Sequence, residues 1–174
     1  TIPLRLLFWQ LHLKLRLTLW YKRLNVYNMQ RYADWPDRLI NFLTIRDSTP
    51  LKWGFTDCSL FASDAINAMN GSDPAHWFRG KYTTKKRAFK LLKQFGGGGL
   101  PETVTKIMKD MRYPEISSDE ANSGDLVLID VTNVHPDAFG LTSAIMASPA
   151  VAIAQGKDGL VYVDNPDIKR AWAI

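Results

Sequence analysis

The sequence predicts an α+β domain, with helices first and an antiparallel sheet after them, and three observations carry that reading. Between residues 34 and 111 apolar side chains recur at helical spacing between recognisable caps. After Pro114 the pattern changes to short apolar runs separated by turn residues. The single cysteine, Cys58, falls at the first position of the central predicted helix. Runs of helices followed by runs of strands are the pattern of the α+β class.

The elements follow in order. Asp34-Trp35-Pro36-Asp37 opens a helix, with acid near its N-terminus and Pro in its first turn. Leu39, Ile40, Phe42 and Leu43 supply its apolar face, and Thr49-Pro50 ends the unit. Trp53-Gly54 is a turn leading to Asp57, an N-cap for a helix over residues 58–69. Cys58, Phe61, Ala62, Ala65, Ile66 and Met69 share one face of that helix, and Asn70-Gly71 closes it. Asp73-Pro74 starts a short helical turn. Thr84 caps a helix over residues 85–95, whose Lys85, Lys86, Arg87, Lys90 and Lys93 read as a solvated face. Residues 96–99 are a glycine break, and Pro101-Glu102 opens a helix reaching Met108 or Met111. Beyond it, 125–131 reads as a buried strand, 139–146 and 150–154 as further strands, and 156–159 as a hairpin turn into a strand at 160–163.

Charge separates the chain into two parts, a leucine-rich basic segment at 1–28 and the domain at 29–174. The first 28 residues hold Arg5, Lys14, Arg16, Lys22 and Arg23 and no acid, so they account for the whole net charge of +5. The other 146 residues carry 17 basic and 17 acidic groups. A neutral body gives no reason to expect a nucleic-acid surface. From Leu11 to Leu19 leucines alternate with His12, Lys14, Arg16 and Thr18, a period of two. Internal charges rule out a transmembrane helix there, and no signal-peptide pattern follows. Three readings stay open for this segment: an arm that docks on a partner, a membrane-surface segment, or sequence upstream of a natural start at Met29. Trp, Tyr and Phe total 20 residues, enough to build a sizeable core or to serve protein interfaces.

A single cysteine makes no intrachain disulfide, and His12, His76 and His135 show no metal-ligand spacing with it. No cofactor and no metal are expected. At a helix N-terminus the free N–H groups and the dipole favour thiolate, so Cys58 stands where a nucleophile would. The competing reading is a small core hydrophobe on the face of Phe61, Ala62 and Ala65. Catalysis would further need a base and an oxyanion site.

Trp53-Gly54-Phe55-Thr56-Asp57-Cys58-Ser59-Leu60-Phe61, followed by Ser123-Gly124-Asp125-Leu126-Val127-Leu128, resembles the NlpC-like branch of the papain-fold cysteine peptidases. The likeness is closer to uncharacterised phage and prophage proteins of NlpC-like fold encoded among tail genes. It runs on through Asn70-Gly71-Ser72-Asp73-Pro74, Arg79-Gly80-Lys81-Tyr82, residues 97–100 and Arg170-Ala171-Trp172-Ala173-Ile174. It spans about residues 30–174. The resemblance implies a papain-like fold with Cys58 as nucleophile and a catalytic His on the strand after Gly-Asp-Leu-Val. The corresponding stretch here is Ala138-Phe139-Gly140-Leu141, which sets Ala138 where that His would stand. Alanine accepts no proton. His135, three residues upstream in a predicted loop, is the substitute candidate base; His76 lies before the sheet and is a poorer one.

Two functions are therefore expected in order. The first is a structural or assembly component of a phage tail, near its tip, made in the bacterial cytoplasm and incorporated into the virion, with other tail proteins as partners. The second is an active cysteine hydrolase that cuts peptidoglycan peptides as the phage enters its host, using Cys58 and His135. A membrane- or nucleic-acid-binding role resting on residues 1–28 ranks last.

Overall fold

The structure is a computed structural model that describes residues 31–132 and 140–174. The chain divides into two units, Thr1–Ala33 and Asp34–Ile174, and the second carries every element described below. The expectations for residues 1–28, His12, His135 and Ala138 lie outside the described residues.

Among the described residues four helices precede the sheet. α1 (Trp35–Arg46) has Pro36 in its first turn and buries Leu39, with Phe42 and Leu43 packed half-buried beside it. Ile40 departs from expectation: it is 60% exposed. The i, i+3, i+4 set of Leu39, Phe42 and Leu43 defines the buried face, and Ile40 is rotated off it by about 100°. α2 (Cys58–Asn70) is the central helix, with Phe61 and Ala65 fully buried and Gly71 closing it in the left-handed conformation. α3 (Lys85–Gly96) is capped by Thr84, as its sequence requires. α4 (Leu100–Asp110) starts with Pro101 and Glu102 in its first turn. The glycines between α3 and α4 are more than slack chain. A Cβ on Gly96 would lie 2.7 Å from the backbone nitrogen of Thr103, so the two helices meet only because that Cβ is missing.

Six strands form one antiparallel sheet: β1 (Glu115–Ile116), β2 (Leu126–Asp130), β3 (Leu141–Ser148), β4 (Val151–Gln155), β5 (Leu160–Asp164) and β6 (Asp167–Trp172), in the order β1-β6-β2-β3-β4-β5. Four correspond to predicted strands, though β3 begins two residues later than expected and β4 one. β1 and β6 were not legible. β6 alternates exposed Asp167 and Lys169 with half-buried Ile168 and Arg170, so it presents no apolar run, yet it sits beside β2 in the middle of the sheet.

The sheet is buried on both faces, as the unbroken burial of Leu126 to Ile129 requires. Leu126, Leu128, Ile145, Ile153 and Trp172 pack against α1, α2 and α4 in the main core. Val127, Ile129, Ala144, Met146, Ala152 and Ala171 form the cluster on the opposite face. The fold is thus α+β, with the N-terminus of α2 brought against the start of β3.

Candidate functional site

The site is built from the turn before α2. Gly54 has φ +79°, and a Cβ there would lie 1.8 Å from the backbone oxygen of Tyr82, so only glycine fits. Its N–H donates to Asp57 Oδ2 at 2.8 Å. Asp57 Oδ1 accepts the Leu60 N–H at 3.2 Å, which is the predicted N-cap. Asp57 Oδ2 also accepts the Tyr82 hydroxyl at 2.7 Å. The carboxylate is 1% exposed, so three donors supply what water would otherwise give it.

Cys58 follows directly. It is half-buried and lines a cavity of about 1050 Å³ bordered by Trp53, Phe78, Tyr82, Phe89 and Leu92 on one side and by the β4–β5 hairpin on another. Its sulfur lies 4.0 Å from the Ser59 hydroxyl, and Thr142 and Ser143 of β3 line the same cavity. Burial pushes the Cys58 thiol above its ordinary value. The Thr142 side chain pulls the other way, the Asp57 charge adds to the rise, and the Ser143 N–H and Ser59 hydroxyl oppose it less. Burial and the neighbouring Asp57 thus work against the thiolate preference that a helix N-terminus gives.

Of the two predicted base candidates only His76 is among the described residues, and it is not at the site. His76 is exposed in the turn after α2, with Nδ1 3.0 Å from the Asp73 carbonyl oxygen, and is not part of the cavity wall. From β3, Leu141, Thr142 and Ser143 line the cavity with Cys58, Thr142 standing four positions after Ala138 and inside the strand. Tyr82 and Thr142 were missed as site residues. Tyr82 stood in a quoted motif without a role, and nothing in its spacing announces a partner 25 residues earlier. Burial pushes the Tyr82 phenol well up, with the charge of Asp57 and its hydrogen bond next in weight. Among the described residues no group of three or more His, Cys, Asp or Glu side chains could hold a metal ion, and no helix is long and apolar enough to cross a membrane.

Chemically the arrangement offers a thiol whose burial favours the protonated form, hydroxyls and a large, mainly apolar recess. Comparison with curated proteins gives no match. The family described as a domain of unknown function, DUF6950, matches residues 30–174, which takes in the whole of the helical layer, the sheet and the Cys58 cavity. The chain belongs to the DUF6950 family.

Proposed function

We propose that the protein is a structural or assembly component of a phage tail, near the tip, built on a papain-like domain of NlpC type whose peptidase site has degenerated. The observation that carries this reading is that, among the described residues, no imidazole lies in the cavity wall beside Cys58, where Thr142 and Ser143 of β3 stand. A hydroxyl is no base at neutral pH, and the raised thiol leaves little thiolate to attack a carbonyl. The order of helices before an antiparallel sheet, with the Cys-bearing helix central, is consistent with the papain-like part of the proposal. The tail assignment rests on the motif resemblance through residues 30–174. Mass spectrometry of purified virions tests it: the protein is expected in stoichiometric amounts among the tail proteins, and its absence from assembled tails would overturn the assignment.

A second reading has one observation in its favour, the cavity that opens beside the thiol. In it the protein is a cysteine hydrolase of peptidoglycan peptides, with Cys58 as nucleophile and His135 as base. Purified protein and its Cys58→Ala variant, incubated with cell-wall sacculi, decide the matter. Release of peptide fragments by the parent and none by the variant would replace the first reading with this one.

A further inference from the structure

We propose that α3 and the cavity rim beside it dock an acidic peptide segment of a partner protein, with one apolar side chain of that segment entering the cavity at Phe89. The inference rests on the assembly reading and names the chemistry of the partner.

Helix α3 has an electrostatic pattern that folding alone does not favour. Lys85, Lys86 and Arg87 occupy its first turn, where no acidic residue is present. The helix dipole favours anions at that end and is opposed by cations. Lys86 and Lys90 are like charges one turn apart, and Lys90 and Lys93 are three residues apart, spacings at which like charges repel. Lys86, Arg87, Lys90 and Lys93 are exposed, and among the described residues none of them stands in an ion pair. A merely solvated face would be served as well by mixed signs. Five cations and no acid in twelve residues give a single-signed strip, while the remainder of the neutral body holds 17 acidic and 12 basic groups. Local rules are broken in this way chiefly at functional sites.

The strip adjoins the cavity. Phe89 stands on α3 among these cations, is 44% exposed, and also lines the cavity with Ala88 and Leu92 of the same helix. Lys85 Nζ lies 6.0 Å from its ring centroid. The α3 cations do not themselves line the cavity, so Phe89 is where a partner lying along the strip would reach the apolar recess. The acidic groups that line the cavity besides the buried Asp57 are Asp47 and Asp158, at the β4–β5 hairpin side. Nucleic acid would use the cations but leave the apolar recess empty. A peptide with both carboxylates and apolar side chains uses both, which is why we assign a peptide.

Fluorescence anisotropy of the full chain with a fluorescein-labelled peptide of alternating Glu and Leu tests this, with a Lys–Leu peptide and a labelled single-stranded oligonucleotide as comparisons. Saturable binding of the Glu–Leu peptide, weakened by salt, is expected, with no binding of the Lys–Leu peptide. The variant Lys86→Glu/Lys90→Glu/Lys93→Glu should lose at least tenfold in affinity, and Phe89→Ser should weaken binding without altering its salt dependence. These are surface positions, and circular dichroism verifies that each variant is folded. Absence of Glu–Leu binding, unchanged affinity in the charge-reversed variant, or tighter binding of the oligonucleotide would overturn the inference. Presence of the protein in virions together with any of those outcomes removes the peptide site and leaves the assembly reading standing.

Discussion

The Tyr82 hydroxyl donates a 2.7 Å hydrogen bond to the buried carboxylate of Asp57, tying the segment before α3 to the N-cap of the helix that carries Cys58. The same Tyr82 sets its backbone oxygen against Gly54, so one residue fixes both the cap and the turn that leads to it. Removal of the hydroxyl leaves the buried carboxylate with Gly54 and Leu60 as its remaining donors. Tyr82→Phe is expected to cost about 1.5–3 kcal/mol, the range for a hydrogen bond to a charged group. Urea denaturation of parent and variant measures it, and equal midpoints would show that this bond contributes nothing to stability.

The same bond sets a pH dependence. Tyr82 ionises in the unfolded chain near its ordinary value of 10.0, and in the fold its pKa is raised. A raised pKa means that the stabilisation is complete below the unfolded value and is lost as pH climbs beyond it. Above about pH 10 stability should fall by up to about 1.4 kcal/mol per pH unit for this group. Cys58 adds a decline of the same sign starting from its ordinary 9.0. Urea midpoints taken across the alkaline range should therefore drop, less steeply in Tyr82→Phe than in the parent. A variant curve parallel to the parent's would exclude Tyr82 as the source.

Gly54 makes a second structural test. A methyl group there would meet the Tyr82 backbone oxygen at 1.8 Å, on a backbone already at φ +79°. Gly54→Ala must pay for the left-handed conformation, about 1–2 kcal/mol, and for displacing a backbone carbonyl. A total loss above about 3 kcal/mol is expected, at or beyond the upper end of what most single substitutions cost. Thermal unfolding followed by circular dichroism would reveal it; a loss below about 1 kcal/mol would mean that the turn relaxes freely.

What was legible in the sequence, and what was not, follows from how far each cause reaches along the chain. The cap Asp57, the helix from Cys58, the Thr84 cap and the Pro101 helix start are local, with causes a few residues away, and they stand where the residues put them. The β4–β5 hairpin was legible for the same reason. β6 was not, because its place beside β2 is set by Ala171 and Trp172 packing across the sheet rather than by a run of its own. The site shows the same division. Cys58 could be found from its position on a helix, whereas Tyr82 and Thr142 reach it from 24 and 84 positions away through tertiary folding alone. Even the electrostatics of Cys58 depended on burial, which no local pattern reports.

The thiol itself gives the last prediction. Burial leads the causes that raise its pKa, and the Thr142 side chain leads those that lower it. Iodoacetamide reacts with thiolate, so its rate on native protein should rise with pH to a half-point above 9.0, the ordinary value for the group. Thr142→Val keeps the shape and removes the hydroxyl, and it should move that half-point further up. Thr142→His would bring an imidazole to the same approach, and a protonated ring beside the sulfur should bring the half-point down. The two substitutions thus shift the profile in opposite directions, a result that fold stability alone does not produce. A parent half-point well below 9.0 would instead reveal a thiolate-stabilising group at Cys58 and would count against the degenerate-site reading.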